Sequence, residues 1–284
     1  MKNIINILKG VVYVVVHGGS SHLDEFMATA MYLAIRAMDN FGKIDPVKIS
    51  RRDPTADEIR DPSVLVMDVG GVYNPEWLSF DHHQFERGTK ESAMGLVASW
   101  AGIRDVVAKL CPWFETRISV DAIGPFATAK AEGVEWSTVA KFLGPCEELI
   151  LKQFEDASDD DRWQVVAPLA RSIAGKFRAF DEVQAALVEN EIGGVEVYDF
   201  TNADPLMTRE VSDALVGDKG VAVFHDDRGA GLTLLRVNDD PRIDFSRVDG
   251  DPAVVFAHKG GFICKTLTKD MKDAERLIGM SIKA

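Results

Sequence analysis

The six residues Val11 to Val16, V-V-Y-V-V-V, constrain the fold of this chain more than any other stretch. They are β-branched or aromatic and do not alternate with polar residues, which is the pattern of a central strand buried on both faces of a parallel sheet. A turn follows at residues 18–21 (G-G-S-S), and from Asp24 apolar residues recur at helical spacing. Strand, turn and helix form the first half of a βαβ unit, so we predict an α/β fold with an open parallel sheet.

Metal-binding residue types recur where apolar runs of the N-terminal half give way to turns. The first strand, the run at 63–67 and a short run before residue 81 all end in this way. Because open α/β sheets gather functional groups at the carboxyl ends of their strands, we expect these side chains to meet at one edge of the sheet. The residues concerned are His17, His22, Asp24, Asp68, Asp81, His82 and His83.

Histidine and carboxylate ligands without cysteine indicate which metals such a cluster can hold. A lone histidine at the end of a strand is more often a satisfied structural residue, but four of the six histidines fall in two clusters at these turns. The set suits two divalent ions roughly 3.5–4 Å apart, with substrate positions left open. These ligand types favour Mn²⁺ or Mg²⁺, and Zn²⁺, Co²⁺ or Fe²⁺ are also compatible with them.

Composition limits the classes of protein to consider. A chain of 284 residues, 46% hydrophobic, has room for one large domain or two ordinary ones. Its formal charge of -13 repels polyanions, so a nucleic-acid substrate would need a local basic patch or metal ions.

Cys111, Cys146 and Cys264 are widely spaced, which favours reduced thiols in a cytoplasmic protein. No stretch reaches the roughly 20 apolar residues of a membrane span and no cleavage site follows the N-terminal run, so we expect neither span nor leader.

Changes of pattern divide the chain into three predicted segments. Residues 1–130 are predicted to form the metal-binding catalytic domain, 131–192 a helical connector and 193–284 a smaller α+β domain. The apolar run that ends at His17 is predicted as a strand from the N-terminus onward. The last segment is predicted to hold five strands after Gly193-Gly194 and a final helix.

Three more elements are predicted with less regular patterns. Residues 92–110 are predicted as one helix, and Arg117 to Phe126, R-I-S-V-D-A-I-G-P-F, as a strand and turn carrying Asp121. The connector is predicted to hold two helices, the second broken near Pro168 or Gly175.

The order of the motifs resembles a known family. H-x4-H-x-D-E from residue 17, D-V-G-G-x-Y from residue 68 and D-H-H-Q from residue 81 are similar to the DHH phosphoesterase superfamily, and in particular to its MYG-one branch. V-K-I-S-R-R-D-P, E-S-A-M-G-L and V-F-A-H-K-G-G-F-I, elsewhere in the chain, extend the resemblance. It implies a metal-dependent 3′ to 5′ exonuclease acting on single-stranded RNA or short oligonucleotides, in which a DHH domain is paired with a smaller C-terminal domain.

The resemblance also implies roles for individual residues. The implied metal ligands are His17, His22, Asp24, Asp68, His82 and Asp121, with Asp68 bridging two ions. The implied catalytic residues are His83, which would face the scissile phosphate, Asp68 and Asp81, the last of which can orient a histidine instead of touching metal. The implied substrate-binding residues are His258, Gly260, Gly261 and Lys269. Arg52 and Lys265 are predicted to bind substrate phosphates because of their positive charge.

Two departures from the branch keep other functions open. The branch's D-A-x-D-N-G reads D-A-I-G-P-F here, and its C-terminal glycine pair and arginine are replaced by Cys264-Lys265 and Lys269. One alternative is a small-molecule phosphohydrolase acting on pyrophosphate or a cyclic dinucleotide, which the acidic chain would accept more easily. Another is a metal-binding protein that has lost turnover.

Overall fold

The structure, a computed structural model, describes residues 2–40, 42–86, 88–140, 145–203, 209–229 and 231–283. The chain is of the α/β class, as the sequence predicts. It divides into two compact units, Met1–Arg178 and Ala179–Ala284. The segment boundaries proposed at residues 130 and 192 follow changes of sequence pattern and stay a prediction.

The first unit is built on a five-stranded sheet. Its order is β2-β1-β3-β5-β4, and all neighbours are parallel except β4 and β5. Three valines of the central strand are fully buried, as expected for a strand covered on both faces. The strands are β1 (Tyr13–Val16), β2 (Lys48–Arg51), β3 (Val64–Met67), β4 (Tyr73–Asn74) and β5 (Ser79–Phe80).

Helices cover this sheet. The longest of the first half, α2, begins directly after the first turn and is buried along most of its length, because small alanines let it pack closely. The helices are α1 (Lys2–Lys9), α2 (Leu23–Ala37), α3 (Ala56–Arg60), α4 (Ala93–Trp100), α5 (Arg104–Leu110), α6 (Phe114–Ile123), α7 (Pro125–Ala131), α8 (Trp136–Ala140), α9 (Pro145–Asp156) and α10 (Arg162–Ala186).

Four sequence predictions of local structure are wrong. The predicted strand at 117–126 is helical and is covered by α6 and α7. Helix α6 forms because Phe114 and Ile118, which are four residues apart, are both buried on one face. The predicted helix at 92–110 is two helices, interrupted at Gly102, whose φ of 69° suits glycine. The N-terminal residues form α1 before the strand begins.

The fourth wrong prediction concerns the second helix of the connector. Helix α10 runs unbroken past Pro168 and Gly175, and Pro168 is exposed. A single proline removes one backbone hydrogen bond, and the packing of the flanking turns keeps the helix continuous here. The first connector helix was predicted as one; residues 141–144, which would join α8 to α9, lie outside the described residues.

The segment between α9 and α10 closes the edge of the first sheet. Ile49 of the edge strand β2 donates its N–H to the Asp159 carbonyl (2.9 Å), and Ser50 Oγ donates to the Asp159 carboxylate (2.5 Å). Buried Arg162 donates to the carbonyls of Ile49 and Phe154. The edge strand is therefore capped by part of the predicted connector, which protects its unpaired backbone groups.

The second unit is a six-stranded sheet packed against a helix. Its order is β10-β11-β9-β8-β7-β6, and β7 and β8 form its parallel pair. Gly193 and Gly194, which were predicted to precede the strands, form the turn between the first two of them, with φ of 57° and 81°. The elements are β6 (Val188–Ile192), β7 (Val195–Asp199), α11 (Arg209–Leu215), β8 (Gly220–His225), β9 (Leu232–Val237), β10 (Val254–Ala257), β11 (Ile263–Thr266) and α12 (Met271–Ser281).

The core of the second unit confirms the predicted final helix. Leu277 and Ile278 of α12 are fully buried with Val221, Leu234 and Phe245. Within the described residues, Cys111, Cys146 and Cys264 form no disulfide bond. Among the described helices, none has the length and apolarity needed to cross a membrane.

Candidate metal centre

The candidate metal ligands meet where three neighbouring parallel strands end. His17 follows β1, Asp68 follows β3, and His82 stands in the turn after β5. Parallel strands direct their carboxyl ends to the same edge of the sheet, which is why residues far apart in sequence come together. Helix α2 adds Asp24 from its first turn, and α6 adds Asp121.

Among the described residues, two groups of side chains can hold a cation. In each group, one ligand atom from every residue lies within 4.8 Å of the others. The first group is Asp68, His82 and His83; the second is Asp24, His82 and Asp121. His82 belongs to both groups, and the residue types fit a divalent metal site.

The ring nitrogen Nε2 of His82 lies among three carboxylates. It is 3.1 Å from Asp121 Oδ2, 3.3 Å from Asp68 Oδ1 and 3.9 Å from Asp24 Oδ2. It is buried and, within the described ranges, makes no hydrogen bond of good geometry. Burial disfavours the charged ring, but the surrounding carboxylates prevail and raise the pKa of His82 to about 10. A buried nitrogen short of a partner among three carboxylates fits a metal ligand.

Asp24 links the centre to helix α4. Its carboxylate accepts the backbone N–H groups of Ala93 (2.7 Å) and Met94 (3.1 Å), at the positive end of that helix. Burial, together with the nearby carboxylates of Asp68 and Asp121, raises the pKa of Asp24 to about 8. Asp24 and Asp68 are buried and Asp121 is exposed beside them. Three carboxylates this close repel one another, so a cation among them would stabilise the charged forms.

Asp81 is hydrogen-bonded to His83 and Gly71, and it belongs to neither group of candidate ligands around His82. One carboxylate oxygen accepts from the His83 ring Nδ1 (2.7 Å) and from the His83 backbone N–H (3.0 Å), and the other accepts from Gly71 N–H (2.6 Å). Burial alone would raise the pKa of Asp81, but these hydrogen bonds outweigh it and lower the pKa. This geometry matches the alternative in which Asp81 orients a histidine and also ties down the loop after Asp68.

His83 and Asp68 differ in exposure: His83 is exposed, and Asp68 is buried. His83 leaves 56% of its side chain exposed, so its ring is accessible to a substrate while Nδ1 is held. Asp68 is buried and has a φ of 60°, in the left-handed region that aspartate tolerates better than most residues. Its backbone N–H donates to the Phe80 carbonyl, which fixes it against the turn that carries the two histidines.

The two histidines of the first turn stack beside the centre. The ring centroids of His17 and His22 are 5.0 Å apart, and those of His17 and His83 are 6.5 Å apart. His17 Nδ1 is buried and has no hydrogen-bond partner among the described residues, whereas His22 is exposed. A ligand nitrogen without a partner again fits a cation site.

Sequence reasoning missed the ion pair that holds this first turn. Buried Glu25 accepts from Ser21 Oγ (3.0 Å), from His22 N–H (3.0 Å) and from Arg51 Nη2 (2.9 Å). The final glutamate of H-x4-H-x-D-E was the available signal. Of the arginine pair, Arg51 therefore supports the site, whereas Arg52, the predicted substrate ligand, binds Glu58 (2.5 and 2.9 Å).

Sequence reasoning also missed Arg117. It lies one helical turn before Asp121 on α6 and donates to Glu147 (2.9 Å). Both residues line a cavity of about 350 Å³ that also reaches Asp24 and Asp121. The signal was the i, i+4 spacing of Arg117 and Asp121, which the strand prediction hid.

The predicted substrate ligands of the C-terminal half lie in the second unit, around the turn between β10 and β11. His258 Nδ1 accepts the Gly260 N–H (2.9 Å), and Gly261 has a φ of 68° with the Asp244 side chain so close that a Cβ would clash. Lys265 Nζ binds Asp226 (2.5 Å), and Lys269 is exposed. Their role in substrate binding stays a prediction.

Comparison with known proteins supports part of this picture. Residues 13–111 match the family model MYG1_exonuc, described as Uncharacterised protein family (UPF0160). The match contains the motifs of His17, Asp68 and His82 and ends before Asp121. It supports the MYG-one resemblance over these residues.

A curated relative is similar over part of the chain. A MYG1 protein of Chlamydia pneumoniae is 38% identical over 86 residues, which are 28% of this chain and 25% of the relative. The matched part thus spans about a quarter of the curated relative.

Proposed function

We propose that this protein is a divalent-metal-dependent phosphodiester hydrolase of the DHH type, and most specifically a 3′ to 5′ exonuclease acting on RNA or short oligonucleotides. The observation that carries the proposal is the buried Nε2 of His82, with three carboxylates within 3.9 Å. Two of these, Asp24 and Asp68, and His82 itself lie in the segment that matches the family model. We place the activity in the cytoplasm, in keeping with three cysteines that form no disulfide bond.

The ligand set supports two divalent ions, with Mn²⁺ as first choice. The residues that would hold them are His17, His22, Asp24, Asp68, His82 and Asp121. When bound, such ions supply Lewis-acid stabilisation of the negative charge that develops on a phosphate. The donor types, carboxylate and imidazole without thiolate, favour Mn²⁺ over the softer alternatives.

The protein's own contribution to catalysis is positioning and proton handling. Asp81 holds the Nδ1 of His83, which fixes the ring and directs its other face outward. A ring fixed in this way can hold a phosphate oxygen or pass a proton to a leaving group. Asp24 and Asp68 are both buried. The carboxylate of Asp24 accepts a backbone N–H, and the backbone N–H of Asp68 donates to a carbonyl, so both residues are positioned before substrate binds.

The test is a substrate panel on purified protein with added Mn²⁺. We expect removal of nucleotides from the 3′ end of single-stranded RNA and hydrolysis of bis(p-nitrophenyl) phosphate, both lost with a chelator. Metal analysis should find close to two ions per chain. Protein that binds no metal after reconstitution, or binds it and cleaves no phosphodiester, would contradict the proposal; the second result would favour a protein that has lost turnover.

A small-molecule phosphohydrolase is the second candidate, and the charge distribution favours it. The net charge is -13, and the ammonium of Lys265 is already bound to Asp226. Less positive charge is then available for a long phosphate backbone than the predicted pair Lys265 and Lys269 would supply. Faster turnover of pyrophosphate or a cyclic dinucleotide than of any oligonucleotide would favour the small-molecule phosphohydrolase.

A further inference from the structure

A second cavity beside the metal centre has no part in the function described so far. It has a volume of about 430 Å³ and a mostly apolar lining from α2, α9 and α10, which includes Phe26, Ile150 and Leu169. It shares lining residues with the smaller cavity that reaches Asp24 and Asp121. The shared residues are Leu23, Met27, Arg117 and Glu147.

Arg117 stands at the border of the two cavities and is held there weakly. Its Nη2 is 2.9 Å from Glu147 Oε2, and the two side chains are 28% and 36% exposed. An exposed ion pair of this kind contributes at most about 1 kcal/mol, so another anion can replace Glu147 at small cost. Arg117 is the one arginine or lysine among the described residues that line either cavity. Its guanidinium has the planar fork that matches phosphate oxygens.

The chemistry of the larger cavity favours a heteroaromatic ring over an alkyl chain. Ligand sites are typically mostly apolar cavities of about 300–1,000 Å³ with a few placed polar groups. Here the apolar wall of Phe26 and Leu169 suits the faces of a ring, while Gln153 and Glu147 offer one donor and several acceptors to its edge. An alkyl chain would form no hydrogen bonds with those polar groups.

We propose that the two cavities form one nucleotide subsite, in which Arg117 binds a phosphate and the apolar cavity binds the base attached to it. This inference rests on the proposed function, because it places that phosphate beside Asp24 and Asp121. It adds a specificity determinant: the enzyme would prefer phosphate esters that carry a nucleobase.

Equilibrium binding tests the subsite without requiring turnover. Titrations of the full-length protein with AMP, ribose 5-phosphate and inorganic phosphate, in the presence of Mn²⁺, should show AMP bound at least tenfold more tightly than ribose 5-phosphate. Arg117→Met should weaken AMP and ribose 5-phosphate alike, by roughly tenfold or more, because it removes a charged hydrogen bond. Glu147→Gln should tighten both, because it removes a competing anion.

Variants of the apolar wall separate the base from the phosphate. Leu169→Trp fills the cavity and Ile150→Glu puts a charge on an exposed part of it, so either should abolish the preference for AMP while ribose 5-phosphate binds as before. Ile150 is 39% exposed, so its replacement leaves the fold intact even if the tryptophan variant melts early. Arg171→Met is the matched control, since Arg171 is exposed on α10 and lines neither cavity.

The binding results test the base contact and the phosphate contact separately. Equal affinity for AMP and ribose 5-phosphate, or wall variants without effect, would overturn the base subsite. An Arg117→Met variant that binds like Arg171→Met would overturn the phosphate contact. If AMP preference follows these variants but bis(p-nitrophenyl) phosphate is not hydrolysed, the subsite stands and the proposed hydrolase activity fails.

Discussion

At the residue scale, the protonation of His82 and Asp24 controls whether a cation can enter the centre. The pKa of His82 is raised from 6.5 to about 10, and that of Asp24 from 3.8 to about 8. The metal-free folded protein therefore holds protons that the unfolded chain releases at lower pH. The stability that His82 and Asp24 contribute to the metal-free protein is therefore greatest at acidic pH, and it falls as the pH rises towards 10.

Metal binding should reverse this pH dependence. A cation displaces protons from His82 and Asp24, so we expect Mn²⁺ affinity to rise with pH and protons to be released on binding. Calorimetry in two buffers of different ionisation enthalpy measures the protons, and thermal melting with and without Mn²⁺ measures the stability. A metal-free melting temperature that rises from pH 6.5 to 9, or binding without proton release, would contradict the assignment.

Asp68 and Asp81 should differ in what their replacement removes. Asp68→Ala takes a buried carboxylate from beside His82, and we expect metal to be lost and the rate to fall by several decades. Asp81→Asn keeps the shape but weakens the hold on His83, so we expect a loss on the order of 10 to 100-fold with metal retained. Metal analysis and rates on one substrate distinguish the two; equal losses with metal released in both variants would make Asp81 a ligand.

At the element scale, the stability of the sheet edge depends on a residue of the predicted connector. Arg162 is 5% exposed and donates to the carbonyls of Phe154, Ile49 and Ala157. These bonds hold the α9 to α10 segment against β2, far in sequence from the strand that it covers. The edge strand thus relies on a long-range contact that its own residues do not reveal.

Replacing this arginine should destabilise the fold while leaving the ligands in place. Arg162→Met leaves two buried carbonyl groups, one partly buried carbonyl group and the carboxylate of Asp159 without this donor, so we expect a loss of about 3 kcal/mol in the free energy of unfolding. Denaturant unfolding measures this loss. Arg171→Met, on the exposed face of the same helix, should change stability by no more than about 0.5 kcal/mol. Equal stability of the two variants would show that the segment does not hold the edge.

At the scale of the whole molecule, the division into two units suggests where the chain can be cut. The first unit ends within α10, and β6 pairs with β7 in the second sheet, so a cut at residue 192 would leave β6 without its partner. A cut after Leu187 keeps α10 whole and removes the second sheet entirely.

A chain of residues 1–187 should fold and bind metal with unchanged stoichiometry, because all the predicted ligands lie before residue 122. If the C-terminal unit binds substrate as predicted, hydrolysis of an oligonucleotide should fall far more than hydrolysis of bis(p-nitrophenyl) phosphate. Circular dichroism, metal analysis and the two rates make the comparison. An equal fall of both rates in a folded, metal-replete fragment would remove the substrate-binding role of His258, Lys265 and Lys269.

The sequence by itself determined the parts of this protein that depend on local pattern. The buried run before His17, the turn into α2 and the D-H-H motif after β5 specify a parallel sheet with ligands at its carboxyl edge, since strand direction fixes where those ends lie. The same local logic placed five strands of the second sheet and the final helix, but not β6, which lies in the predicted helical connector.

Only the tertiary structure decided the parts that depend on contacts between distant residues. The segment around Asp121 is helical because burial of Phe114 and Ile118 outweighs the strand propensity of a short β-branched run. The roles of Asp81, Arg51 and Arg117 follow from their partners, and partners are chosen by packing in three dimensions. A hydrogen bond or ion pair between residues far apart in the chain leaves no periodic signal in the sequence, which is why these residues became visible only in the folded protein.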